Sequence, residues 1–178
     1  DSEWGYRTRI TLAIGPGRRF AGFHPQEEPA RVFALDRCEI ATEPLNSLWG
    51  ALKNQLHLLP DDVEQLVLRV DREGQLHVVI KAGGDQAWGK GKRLAEALAE
   101  KVSAATIWWQ PERGAPRVMS GDRDAFPATV FEQVHSSLGD RIRAWALDRL
   151  GSLAGVHAWD LYSGIGETTA ELAARGAT

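Results

Sequence analysis

The stretch AWDLYSGIGETTAEL, residues 158–172, sets the reading of this chain. An apolar lead ends at Asp160, the backbone passes Gly164 and Gly166, and a helical pattern begins near 167–169. Strand, glycine turn and helix in that order form the opening unit of a doubly wound sheet, where ligands bind in the crevice beyond the strand's carboxyl end. Glycine permits a sharp turn and leaves no Cβ between the backbone and a ligand. The spacing is D-x-x-x-G-x-G, and Thr169 stands where the dinucleotide fingerprint G-x-G-x-x-G needs its third glycine. On the residues alone, a cofactor turn and a turn whose glycines serve geometry only both remain open.

Working back from that stretch, residues 137–150 read as a helix. Asp140, Arg141, Arg143, Asp148 and Arg149 are expected on its wet face, and Ile142, Trp145, Ala146 and Leu150 on its buried one. Before it, TVFEQVH (129–135) reads as a strand. From Pro111 to Pro127 the composition turns to proline, glycine and charge, so a domain junction is placed there, dividing the chain into 1–120 and 121–178. In the first part, YRTRITLAI (6–14) alternates as a half-buried strand does, and the short runs around Phe20–His24 and Ala30–Leu35 complete a meander over 6–36. A helix starts at Thr42 or Glu43, with Pro44 tolerated in its first turn. EQLVLRV and QLHVVIKA flank DREG as a hairpin, 91–102 reads as a helix, and ATIWWQ (105–110) as a strand. The expected fold is an α+β domain, helices against an antiparallel sheet, followed by the first strand-turn-helix of a Rossmann-like α/β domain.

Composition narrows the function. The net charge of −3 and a pI near 6.0 give no global sign of a polyanion binder, although a local basic patch is compatible with them. No apolar run is long enough to span a bilayer, and DSEWGYRTR lacks a signal core, so secretion is not indicated and a cytoplasmic protein is expected; it is also expected to be monomeric. One cysteine, Cys38, excludes an internal disulfide. The five histidines have no metal-ligand spacing. Because a strand-like run starts close to the N-terminus and the C-terminus falls within a helix pattern, the sequence reads as a fragment.

Three stretches in order carry a resemblance: WGYRTRITLAI with AGFHP and DRCEI (4–40), FPATVFEQVHSSLGDRIRAWALDRL (126–150), and WDLYSGIGETTAEL (159–172). The D-x-x-x-G-x-G spacing resembles the first motif of the S-adenosylmethionine-dependent methyltransferases. Together the stretches resemble the RNA uracil-5 methyltransferases, which make 5-methyluridine in rRNA and tRNA. In that family F-x-Q-V-N precedes a helix and then D-L-Y-x-G-x-G. The resemblance assigns Gln133, Asp160, Tyr162, Gly164 and Gly166 to the cofactor and places Phe131 beside the target base. The amide of Gln133 both donates and accepts, which suits an amino-acid-like carboxylate and amine. His135 departs from the family's asparagine.

The resemblance also implies that Arg7 and Arg9 lie near RNA. Read as residues, they share a strand face and meet phosphates together or form a solvated basic edge. In iron–sulfur members a cysteine in a D-x-C-x-I context is the fourth ligand of a [4Fe–4S] cluster, which makes Cys38 its counterpart; four thiolates are needed and this chain has one. The family's reaction adds a cysteine to C6 of uracil, methylates C5 and removes the C5 proton with a base. Both groups lie downstream of the glycine motif in the family, so the resemblance implies a chain inactive alone. The alternatives are a stand-alone RNA-binding module without catalysis and a methyltransferase for other substrates with an unrelated accessory domain. Paired Trp108 and Trp109 on a strand place one ring outward, for core packing plus an interface contact or for base stacking.

Overall fold

The computed structural model describes residues 3–122 and 133–178. The chain divides into two compact units, Asp1–Thr129 and Val130–Thr178. Phe131 lies outside the described residues.

Unit 1 contains β1 (Arg9–Ile14), β2 (Ala21–Phe23), β3 (Phe33–Ala34), α1 (Glu43–Leu52), β4 (Val63–Val70), β5 (Leu76–Ala82), α2 (Gly91–Ala99), β6 (Ala105–Gln110) and β7 (Arg117–Ser120). They form one seven-stranded sheet in the order β3-β2-β1-β4-β5-β6-β7. The expected antiparallel sheet is a mixed one. β5 and β6 run parallel, with Leu76 opposite Ala105 and Ile80 opposite Trp109, while the other pairs are antiparallel. The reason is the connection: α2 carries the chain back along the sheet, and a strand after such a crossover starts again in the same direction.

The β4–β5 hairpin is fixed by local chemistry. The Asp71 carboxylate accepts from the backbone N–H of Glu73 and of Gln75, and Gly74 takes the left-handed φ of +80° that closes the turn. Beyond it, one face of the sheet is apolar, and the other mixes apolar residues with the buried Arg69, His77 and Thr106. One face, with Ile10, Leu12, Leu66, Leu68, Val78, Ile80 and Ile107, meets the apolar sides of α1 and α2 in the main core. Leu45, Leu48, Trp49 and Leu52 supply α1's share, at helical spacing, and Leu94 and Leu98 supply α2's. The other face carries a small cluster of Val67, Val79 and Trp108 with Val118. Trp108 and Trp109 therefore do point to opposite faces, but both are buried, at 6% and 3% exposure, so neither ring is free for stacking on a base.

Trp108 is held by a polar chain. Its indole N–H donates to His77 Nδ1 at 3.3 Å, and His77 Nε2 lies 2.9 Å from Asp71 Oδ2. An indole nitrogen only donates, so Nδ1 is the acceptor and the proton of the buried ring sits on Nε2, directed at the carboxylate. Sheet and turn are thereby joined through one imidazole.

Candidate cofactor site

In unit 2, α3 (Ser136–Asp148) and α4 (Glu167–Ala174) are joined by a loop rich in left-handed residues. The core holding them is small: Leu147, Leu153 and Leu172, with Ala158 and Ala177 packed alongside. The buried face expected for the first helix is not observed. Ile142, Trp145 and Leu150 are 58–59% exposed and Ala146 is exposed as well; Leu147 is the buried residue of α3. The periodicity identified the apolar residues of the helix, but among the described residues the core of Leu147, Leu153 and Leu172 meets only one side of it. Nor is the strand expected before the glycine turn present: residues 157–160 adopt no regular structure. Residues 155–158 instead exchange backbone hydrogen bonds with 176–178, Gly155 to Gly176, Thr178 to Val156 and Ala158 to Thr178.

The glycine turn itself is ordered by its own backbone. Tyr162, Gly164 and Gly166 take φ of +62°, +59° and +81°. A Cβ on Gly166 would meet nothing within 4 Å, so its glycine answers to the left-handed conformation rather than to space. At Tyr162 the same conformation costs a non-glycine residue about 1 kcal/mol. The ring is fully exposed. Strain of this kind, in a residue with no packing of its own, is a mark of functional sites. Gly166 caps α4, and Asp160 Oδ2 accepts from Thr169 Oγ1 at 2.6 Å, tying the start of the turn to the helix's first turn.

A charged clamp sets the second wall. The largely buried Arg143 guanidinium binds Asp140 on its own helix and both Glu167 and Glu171 on α4. Glu167 stands in α4's first turn, where a carboxylate suits the positive end of the helix. At the head of α3, His135 takes the N-cap position, its Nδ1 accepting from the Leu138 N–H at 3.3 Å and lying 3.2 Å from Ser137 Oγ. The imidazole thus does the work an asparagine does at a helix cap. His135→Ala is expected to destabilise unit 2 by about 1 kcal/mol and His135→Asn by much less. Hydrogen exchange of the Leu138 and Gly139 amides measures this, and equal protection in both variants would refute the cap.

His135 and Arg143 help to line a pocket of about 420 Å³, bounded also by Gln133, Leu138, Ile142 and Thr168 among others. That size suits a small-molecule ligand, with apolar walls and a few polar groups converging on it. Of the residues expected to meet a cofactor, Gln133 lines this pocket. Asp160, Tyr162, Gly164 and Gly166 do not; they form the adjoining turn, linked to the pocket through the first turn of α4. Arg143, Thr168 and His135 were not picked out from the sequence as pocket residues. The Asp140-x-x-Arg143 spacing signals a helical pair, but no local pattern foretells its reach to Glu167.

Arg7 and Arg9 lie in unit 1, both half-buried. Arg9 is in β1, opposite the buried Arg69, whereas Arg7 precedes the strand and bridges to Ala41. Burial, and then the neighbouring Arg69 charge, lower the Arg9 guanidinium from its ordinary value. Cys38 packs into the main core at 8% exposure. Among the described residues no group of three or more His, Cys, Asp or Glu side chains could hold a metal ion. The residues present therefore do not fit a [4Fe–4S] cluster, which asks for four thiolates. Among the described residues no helix is long and apolar enough to cross a membrane.

No family model matches the chain. It is 27% identical, over a 200-residue alignment, to the 23S rRNA (uracil(1939)-C(5))-methyltransferase of Thiobacillus denitrificans, covering 98% of this chain and 44% of that protein. Its fold is similar to the crystal structure of the Pyrococcus abyssi tRNA (uracil-54, C5)-methyltransferase in complex with S-adenosyl-L-homocysteine, with a TM-score of 0.63 at 17% identity, covering 98% of this chain and 48% of that one. The chain thus spans less than half the length of either protein. One match is by sequence and the other by fold, and both are to RNA uracil-C5 methyltransferases, the family that the motifs quoted above resemble.

Proposed function

We propose that the chain is part of an S-adenosylmethionine-dependent methyltransferase acting on C5 of uridine in rRNA or tRNA. Residues 1–120 form its central, RNA-facing domain, and residues 121–178 the start of its methyltransferase domain. The observation that carries the reading is the meeting of Gln133 with the first turn of α4, directly after the strained Tyr162–Gly166 turn, around a pocket of cofactor size. Gln133 orients the amino-acid end of the cofactor by its amide. Asp160, Tyr162, Gly164 and Gly166 shape the turn on which the cofactor rests, and Arg143 holds α4 in place beneath it. S-adenosylmethionine supplies the methyl group when bound. Phe131 flanks the target base, and Arg7 and Arg9 face the RNA. The protein is monomeric and cytoplasmic in this reading.

The chain transfers no methyl group by itself. A nucleophile at C6 of uracil has to reach the base, and Cys38, the sole cysteine, is packed in the unit 1 core. Calorimetry with S-adenosylhomocysteine is expected to show weak, saturable binding that Gln133→Ala reduces by about tenfold, the worth of one well-placed hydrogen bond. Binding unaffected by Gln133→Ala would remove Gln133 from the site. Labelled methyl incorporation into uridine-containing RNA by this chain alone would refute the inactivity.

A further inference from the structure

In a chain of net charge −3, residues 86–95, QAWGKGKRLA, hold Lys90, Lys92 and Arg93 and no carboxylate. All three cations are exposed, and on their own helix the nearest acid is Glu96, 3.9 Å from Lys92 with both side chains in solvent. From other elements, Asp61 and Asp62 line a cleft with Lys90, while Asp85 feels the charge of Arg117. They stand at the beginning of α2, with Lys90 in the cap position and no side chain capping the helix. Cations there oppose the helix dipole and repel one another, at about 0.3–1 kcal/mol each. An ordinary solvated helix face mixes its signs, and a first turn ordinarily carries acids.

A second element adds to the patch. Among the described residues β7 is the edge strand, and it presses so closely on α2 that a Cβ on Gly91 would clash with Met119 Cβ. β7 opens with the exposed Arg117, whose guanidinium lies over the Trp109 ring at 5.5 Å from its centroid. That cation–π contact restrains the side chain while leaving its N–H groups in water. Protection of the sheet edge against strand addition explains Arg117 alone. It does not explain three cations on a helix.

We infer that the first turn of α2 and the start of β7 form a surface that holds the phosphate backbone of RNA, through Lys90, Lys92, Arg93 and Arg117. The inference rests on the RNA reading of the proposed function and adds to it a site that positions the strand without reading bases. Contacts to phosphate fix register and orientation and carry no sequence information directly. Flexible lysines beside Gly89, where a Cβ would meet nothing within 4 Å, suit that role.

The test measures binding of a fluorescently labelled, uridine-containing stem–loop RNA by the 178-residue chain across a range of salt. Charge reversal at Lys90→Glu, Lys92→Glu and Arg93→Glu together is expected to weaken binding at least about tenfold at low salt. It should also flatten the slope of log K against log salt by about two, since each phosphate contact contributes roughly 0.7–0.9. Lys90→Arg with Lys92→Arg keeps both values and the thermal midpoint, while the charge-reversed variant folds with a midpoint no lower than the parent's, because exposed acids at the helix start suit its dipole. If the parent chain binds RNA and the reversed variant binds equally, with equal slope, the surface is wrong and the RNA reading stands. If the parent chain shows no salt-dependent RNA binding, the RNA reading falls and the surface with it. Capture of vesicles of anionic phospholipid through these cations, with RNA binding indifferent to their reversal, would overturn the surface as an RNA site.

Discussion

Trp49→Ala is expected to destabilise unit 1 by about 4 kcal/mol, within the 3–5 kcal/mol typical of a buried tryptophan cut to alanine. Trp49 is 2% exposed and sits on α1 among Leu45, Leu48 and Leu52, where the helix meets β4 and β5. Its indole N–H also donates to the Leu35 carbonyl at 3.0 Å, fixing the chain just after β3. Truncation leaves a cavity under the helix and takes the donor from a carbonyl. Domains have net stabilities of about 5–15 kcal/mol, so one residue accounts for a large share. Trp49→Phe refills most of the cavity and still loses the donor, and its cost should be nearer 2 kcal/mol. Urea unfolding followed by far-UV circular dichroism gives both values. A loss below about 1 kcal/mol for Trp49→Ala would show that α1 repacks or that the helix contributes little to the sheet.

Such a residue could be found from the sequence because one element decided its fate. Leu45, Leu48, Trp49 and Leu52 recur at helical spacing after a proline in the first turn, and a helix of that pattern next to several strands has to cover them. The β4–β5 hairpin was as plain, since Asp71 and Gly74 supply the turn chemistry locally. Strand direction at β5–β6 was less accessible. It depends on α2 lying across the sheet, a tertiary fact, although strand, helix and strand in sequence was the available clue. Unit 2 shows the limit more sharply. Ile142, Trp145 and Leu150 follow the helical period but stay 58–59% exposed, because periodicity shows which side of a helix is apolar, not whether anything covers it. The glycine turn was readable from Gly164 and Gly166. The hold of Arg143 on Glu167 and Glu171 of the following helix, made by tertiary contact alone, was not.

Asn46→Ala is expected to cost about 3 kcal/mol, through a device that no pattern in the sequence announces. Asn46 is 7% exposed and lies on α1 facing the loop that enters the helix. Its Oδ1 accepts from the Cys38 N–H at 3.0 Å, while its Nδ2 donates to the carbonyls of Cys38 and Ala41 at 3.0 and 3.2 Å. The Cys38 carbonyl keeps another donor, the Ala41 N–H. Alanine therefore strands mainly the Cys38 N–H and the Ala41 carbonyl, at about 1–3 kcal/mol for each buried group left unpaired. Asn46→Asp separates the hydrogen bonds from the packing. Its one oxygen can still accept from Cys38, but the other then faces two carbonyls, so burial and those carbonyls raise the folded pKa of the new carboxyl above its unfolded value. The deficit is complete at pH above that folded value and shrinks as the pH falls toward the unfolded one, where the protonated carboxyl donates as the amide did. The chain's single cysteine provides the readout. With Cys38 at 8% exposure, a thiol reagent reacts only when the loop opens. Asn46→Ala should speed that labelling by about a hundredfold or more if most of the 3 kcal/mol falls on loop opening. Labelling at the parent rate, with stability unchanged, would mean that the loop is held by its own backbone and that the Asn46 bonds contribute little.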